Sequence, residues 1–177
     1  MIEKSLFSGF GGQGIISLGQ IWVYCGMKEG KNVTFFPFYG AEKRGGIARA
    51  SVIISDEEIA SPLVTVPDSA IAMNPDSLAL CEKALKPGGL LLVNKNLIKE
   101  SPARTDIRVV GVEMQTIAEK IGNGRFANMV ALGALAKITG ALKFSELESI
   151  LKHFFPPEKH KFVPDNMAAI QAGYGSV

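Results

Sequence analysis

The chain is short of what a self-sufficient redox or nucleic-acid protein needs. It has two cysteines, Cys25 and Cys81, far apart and in no Cys-x-x-Cys pair. Two thiols cannot supply the four thiolates of an ordinary iron–sulfur cluster or of a cysteine-rich zinc site. Both are expected to be buried thiols in apolar surroundings. An excess of one charge is also missing. Nineteen Lys and Arg face 17 Asp and Glu, a formal net charge of +2, and no stretch gathers the basic residues into a block. That excludes the electrostatic footprint of a nucleic-acid binder. Ten Phe, three Tyr and one Trp are spread along the chain and build no stacking platform. No apolar run approaches the roughly 20 residues that a membrane span requires. Met1-Ile2-Glu3-Lys4 leads straight into a strand-like run, without the charged and then apolar stretch of a secretory signal. No nucleic acid and no membrane partner is therefore expected, and the expected compartment is the cytoplasm.

What is present is an ordinary apolar chain with alternating strand and helix signals. The 177 residues, 47% hydrophobic and 20% charged, fit a single domain, 1–177, that folds without staples. Ser5–Ser8 reads as a short buried strand ending at Gly9. The segment Gly14–Lys28 follows as a helix, with Ile15, Leu18, Trp22 and Cys25 on one face and Gly30 as its stop. Further strands are expected at 32–36, 49–55, 69–73, 90–94 and 108–112. Helices are expected from about Asn74 to Leu85, Met114 to Ile121, Phe126 to Ile138, Phe144 to Phe154 and Pro164 to about Ala172. For the fourth of these, Ser145 with Glu148 three residues on reads as a capping box. Alternating strands and helices point to an α/β chain, a three-layer Rossmann-like domain with a mostly parallel sheet and a helical C-terminal third. If Arg49–Ser55 and Ile59–Ser61 pair as a hairpin, the sheet is mixed.

Two segments could carry chemistry. Gly9-Phe10-Gly11-Gly12-Gln13-Gly14 fits G-x-G-x-x-G between a strand and a helix, where backbone N–H groups can approach an anion at the helix N-terminus. A dinucleotide site also wants an acidic residue at the end of the second strand. That strand ends in Phe35-Phe36-Pro37-Phe38, and no carboxylate follows before Glu42. Independent NAD binding is therefore poorly supported. The plainer reading, in which the glycines only allow close strand–helix packing, stays open. The second segment is Tyr39-Gly40-Ala41-Glu42-Lys43-Arg44-Gly45-Gly46. It should emerge on the same sheet edge as the glycine turn. There Arg44 could grip a phosphate or carboxylate and Glu42 could orient it, or the two could form an ordinary surface pair. His153 and His160 have no recognisable catalytic neighbour and read as surface histidines. Ser8 and Ser17 have no activating base.

Taken in order, these segments resemble the γ subunit of 2-oxoacid:ferredoxin oxidoreductases. The resemblance rests on Gly9-Phe10-Gly11-Gly12-Gln13-Gly14, then Tyr39-Gly40-x-Glu42-x-Arg44-Gly45-Gly46, then Val52-Ile53-Ile54-Ser55-Asp56-Glu57-x-Ile59-x-Ser61-Pro62. Ala72-Met73-Asn74, Lys86-Pro87-Gly88-Gly89, Leu91-Leu92-Val93-Asn94, Asn128 and Asn166-x-x-Ala169 continue it over nearly the whole chain. Ala41 stands where that family often has proline. The resemblance implies an enzyme that oxidatively decarboxylates a 2-oxoacid such as pyruvate, 2-oxoglutarate or ketoisovalerate, forms an acyl-CoA thioester and reduces ferredoxin. It implies a hetero-oligomer in which α and β chains bind thiamine diphosphate and Mg²⁺, and iron–sulfur clusters sit on cysteine-rich chains such as a ferredoxin-like subunit. The γ chain would be a Rossmann-like accessory beside the active site, with a part in coenzyme A access. It would bind none of these cofactors alone and would hold no catalytic or metal-ligating residue. Gly9, Gly11, Gly12, Gln13, Gly14, Tyr39, Gly40, Glu42, Arg44, Gly45 and Gly46 would face cofactor or partner. A stand-alone nucleotide- or flavin-binding oxidoreductase and a non-catalytic protein-docking module are the alternatives.

Overall fold

The computed structural model describes residues 1–39 and 46–177. Six strands form one mixed sheet. They are β1 (Ile2–Phe10), β2 (Asn32–Tyr39), β3 (Ile47–Ser55), β4 (Ser69–Ala72), β5 (Leu90–Asn94) and β6 (Arg108–Val112). Their order across the sheet is β2-β3-β1-β4-β5-β6. The β1, β4, β5 and β6 strands are parallel, so all four end on one edge. The β3 strand runs antiparallel to both β1 and β2.

Helices cover the two faces unequally. On one side lie α1 (Ile15–Lys28), α3 (Met114–Ile121), α4 (Ala127–Thr139), α5 (Leu147–Phe154) and α6 (Val163–Tyr174). Their core includes Phe7, Trp22, Ile54, Ile71, Leu92 and Leu132, all fully buried. On the other side α2 (Pro75–Ala84) packs over Leu6, Ala70, Ala72, Leu91 and Val93. Alternation along the strands divides the two cores: Phe7 and Ile71 point one way, Leu6, Ala70 and Ala72 the other. The result is a three-layer α/β architecture.

Local sequence sets the start of α2. Asn74 caps α2 by accepting from the Ser77 backbone N–H at 2.9 Å, and Pro75 occupies the first helical position. The crossing of α4 and α6 depends on glycine. A Cβ at Gly133 would sit 1.9 Å from the Ile170 carbonyl oxygen, and one at Gly173 would sit 2.0 Å from that of Val130.

Three sequence expectations need correction. The hairpin partner of 49–55 is β2, and Ile59–Leu63 is in no strand. Both edges of β3 are already occupied, by β1 and β2, so 59–61 finds no free edge. The β2 strand continues past Phe36 to Tyr39, through Pro37. An edge strand tolerates proline because an outward-facing N–H would bond to no neighbour. The expected capping box does not form. The α5 helix starts at Leu147, and Glu146 stands at its N-cap with φ +59° and no side-chain cap. A capping residue needs an extended backbone, which Glu146 lacks. Glu148 instead pairs with Lys152 one turn on.

Candidate functional site

The carboxyl ends of β1, β4 and β5 carry the glycine turn and a cluster of amides. The turn is held from inside by Gln13. The Gln13 backbone N–H donates to the Phe10 carbonyl at 3.1 Å. Its side-chain Oε1 accepts from the Phe10 N–H at 2.7 Å and from Asn74 Nδ2 at 3.1 Å. Asn94 Nδ2 donates to the Met73 carbonyl at 3.2 Å, and Gln13 Nε2 approaches the same oxygen at 3.4 Å. The three amides thus tie the turn to the ends of β4 and β5. Asn128, at the start of α4, donates to the Gly14 carbonyl at 3.2 Å. Gly14 itself is left-handed at φ +72°, and a Cβ there would meet Asn128 Nδ2 at 2.3 Å.

The outer part of the turn is bare. Gly11 and Gly12 are exposed. Among the described residues a Cβ on Gly11 would approach only the Gly46 carbonyl, at 3.8 Å, and one on Gly12 would touch nothing. Gly14 precedes α1 with no side-chain cap, so the first N–H groups of α1 have no side-chain acceptor from their N-cap. An anion is favoured at such a helix end.

The described ends of the second segment, Tyr39 and Gly46, reach the edge where β1 ends. The antiparallel register places Gly9 opposite Ala48, Phe10 opposite Ile47 and Tyr39 opposite Ala48. Gly11 N–H donates to the Gly46 carbonyl at 3.0 Å. Gly9, Gly11, Gly12, Gln13, Gly14, Tyr39 and Gly46 therefore come together. Gly40, Glu42, Arg44 and Gly45 lie outside the described residues. Within the group Gln13 turns its side chain inward, so only its backbone faces out.

Beside Gly12 opens a cleft of about 380 Å³, walled by Asn128, Arg125, Phe126, Lys159 and Phe162. Among the described residues neither Arg125 nor Lys159 has a carboxylate within ion-pair reach. Two cations, amide groups and aromatic rings next to uncapped helix N–H groups suit a phosphate-bearing ligand with a flat ring.

Other candidate chemistry lies elsewhere. Among the described residues no three His, Cys, Asp or Glu side chains converge as a metal site. Cys25 and Cys81 are both buried, in the cores on opposite faces of the sheet, and burial pushes each thiol up to about 12. His160 Nε2 lies 2.9 Å from the Lys152 and Phe155 carbonyls and ties down the end of α5, while His153 is exposed against the Tyr24 ring. Ser8 is buried and donates to Ser77 Oγ. Among the described residues no helix is long and apolar enough to cross a membrane. A dinucleotide fold sets a parallel second strand next to the first to present its ribose-binding acid. Here the antiparallel β3 and parallel β4 flank β1, and β2 lies at the far edge.

The sequence pattern of the family described as pyruvate ferredoxin/flavodoxin oxidoreductase matches residues 4–176. The chain belongs to that family. It is 34% identical over 168 residues to the ketoisovalerate oxidoreductase subunit VorA of Methanothermobacter thermautotrophicus, covering 94% of this chain and 34% of that protein. The chain thus spans about a third of the length of that curated relative. A solved keto/oxoacid ferredoxin oxidoreductase γ subunit from Geobacter sulfurreducens is similar at TM-score 0.84 and 30% identity, over 98% of this chain and 97% of that one. The 2-oxoglutarate:ferredoxin oxidoreductase of Magnetococcus marinus, solved with 2-oxoglutarate, coenzyme A and succinyl-CoA bound, is similar at TM-score 0.86 and 25% identity. That match covers 98% of this chain and 30% of the other.

Sequence reasoning missed the amide cluster and the cleft. Asn94 ends the parallel strand β5 and Asn74 stands two residues past the end of β4, positions that line the crevice of an open α/β sheet, and that signal was readable. Arg125 and Lys159 come from two short 3₁₀ turns far apart in sequence, and no local pattern joins them.

Proposed function

We propose that this chain is the γ subunit of a 2-oxoacid:ferredoxin oxidoreductase, a cytoplasmic accessory that works beside the active site and helps admit coenzyme A. One observation carries the reading. A turn free of side chains at Gly11 and Gly12 opens directly onto a cleft bearing Arg125 and Lys159. The backbone N–H groups that begin α1 and the two cations would hold phosphate groups, and Phe126 or Phe162 would receive a flat ring. Coenzyme A supplies the thiol that accepts the acyl group. Glu42 and Arg44 would also meet coenzyme A or a partner chain.

Among the described residues no three His, Cys, Asp or Glu side chains converge as a metal site, and the two thiols are buried in separate cores. In this reading thiamine diphosphate, Mg²⁺ and the clusters are carried by α, β and ferredoxin-like partner chains. The substrate is a 2-oxoacid of the 2-oxoglutarate or branched-chain class, in keeping with the relatives named above.

A tagged chain purified from its own cell tests this. It is expected to bring down chains that carry thiamine diphosphate and clusters and that reduce viologen with a 2-oxoacid and coenzyme A. In that complex, Arg125→Ala with Lys159→Ala should raise the coenzyme A KM about tenfold or more, by losing two charge-assisted contacts. Arg44→Ala should either raise the same KM or weaken assembly. An unchanged KM in both variants, with assembly intact, would remove the role in coenzyme A access.

A further inference from the structure

Among the described residues, the face of the sheet opposite α1 is only half covered. The α2 helix lies over β1, β4 and β5, and beyond it β2 and β3 present a groove of about 360 Å³. Its floor is Phe36, Phe38 and Arg49, and its walls are Leu63 and, on α2, Leu80. Phe36 is 47% exposed, Phe38 48% and Leu63 58%. Rings so placed on neighbouring positions of one strand face are the kind of apolar patch that marks an interaction site.

Two observations say what covers it. The first is chemical. The Arg49 guanidinium stacks over the Phe38 ring at 4.6 Å, and its buried Nε has no hydrogen-bond partner among the described residues. A buried donor without an acceptor is costly, and a carboxylate answers a guanidinium best. The second is the size of the relatives. In VorA and in the Magnetococcus enzyme, the part matching this chain is about a third of one longer polypeptide. There the matching unit is covalently continuous with the rest of a longer chain. Pro37 in β2 also bears on how a partner binds. Proline at an edge discourages strand addition, which leaves side-chain packing on the face.

We propose that the groove of Phe36, Phe38, Arg49, Leu63 and Leu80 docks the catalytic chain of the complex, through an apolar segment that carries a carboxylate for Arg49. This rests on the chain working inside a complex.

Hydrogen–deuterium exchange on the assembled complex and on the free chain tests it. Residues 34–38 and 61–66 should be protected in the complex and open in the free chain. Phe36→Ser with Phe38→Ser should weaken assembly about 100-fold, as the loss of two central aromatic anchors does. The half-exposed rings should leave the free chain's unfolding temperature nearly unchanged. Arg49→Gln should weaken assembly about tenfold. A complex that forms with wild-type affinity in the double variant and shows no protection at these segments overturns the docking face alone. A dimer of the free chain with protection at 34–38 assigns the groove to a second copy instead. If the chain assembles with no thiamine diphosphate-bearing chain, the γ-subunit reading falls and the docking face falls with it.

Discussion

The two ends of the parallel strands are built from different materials. At the amino ends charges are paired off. The N-terminal amine lies 2.8 Å from Asp56, which also pairs with Lys31, and together they hold the Asp56 carboxyl down at about 2. Lys86 pairs with Asp68 beside Glu3, and Arg104 pairs with Asp106. At the carboxyl ends the fixing groups are neutral: Gln13, Asn74, Asn94 and Asn128, all bonded to one another or to backbone. Amides hold the turn without placing a fixed charge next to the helix N–H groups. Arg125 and Lys159, which line the cleft there, stand without a carboxylate neighbour among the described residues. One end has satisfied its electrostatics within the chain. The other has kept positive potential for something that arrives.

Substitutions that remove the rigidity of the carboxyl end should cost most. Gly14→Ala forces a left-handed alanine, at about 1–2 kcal/mol, and drives a Cβ into Asn128. Losing the Asn128 bond to the Gly14 carbonyl adds about 1 kcal/mol. The sum corresponds to a fall of roughly 5–10 °C in Tm for a chain of this size, readable by calorimetry. A fall under 2 °C would show that the amide layer yields, and the contrast between the two ends would weaken. Gln13→Ala should cost less, about 2 kcal/mol, because it leaves the Phe10 N–H and Asn74 Nδ2 without their acceptor. Amide exchange at Gly11 and Gly12 should quicken in that variant more than exchange in β5.

How much of this contrast was readable depended on how local its causes are. The strand and helix positions were legible because burial imposes a period: the Ile15, Leu18, Trp22 and Cys25 face is buried as the spacing implies. The glycine turn was legible for the same reason, since strand, glycines and helix are consecutive. The β2–β3–β1 pairing was not, because an eight-residue aromatic strand such as 32–39 carries no signal for the direction of its neighbour. Nor was the failed cap at Ser145, which turns on the positive φ of Phe144 and Glu146. The cleft escaped because Arg125 and Lys159 meet only through the packing of α4 against α6.

The amino end offers a smaller, pH-dependent test. Burial raises the Glu3 pKa above 4.5, outweighing the hydrogen bonds it accepts from Ser69 and Ser5, and Asp68 beside it pushes the same way. The folded chain therefore favours protonated Glu3. Its contribution to stability is complete below the unfolded pKa and declines as the pH rises through the folded value. Glu3→Gln should accordingly gain on the parent as pH rises from 4 to 7, measured as the difference in Tm between the two. A difference independent of pH would mean that Ser69 and Ser5 fully compensate the burial, and that this end is as free of electrostatic cost as the other.

The smallest effect on stability is expected at Gly11, and it separates the ends most cleanly. Its Cβ position lies 3.8 Å from the Gly46 carbonyl and meets nothing else among the described residues, and its backbone needs no positive φ. Gly11→Ala should change unfolding free energy by no more than about 0.5 kcal/mol, as for other surface changes. Among the described residues nothing uses the missing side chain, so a loss of function without a loss of stability points to an approaching ligand or partner. In the assembled enzyme the same methyl would stand where the proposed ligand or partner approaches the backbone. The coenzyme A KM or the assembly constant should then worsen several-fold while Tm stays put. If both remain at the parent value, the bare glycines serve only the turn, and the carboxyl end is as self-contained as the amino end.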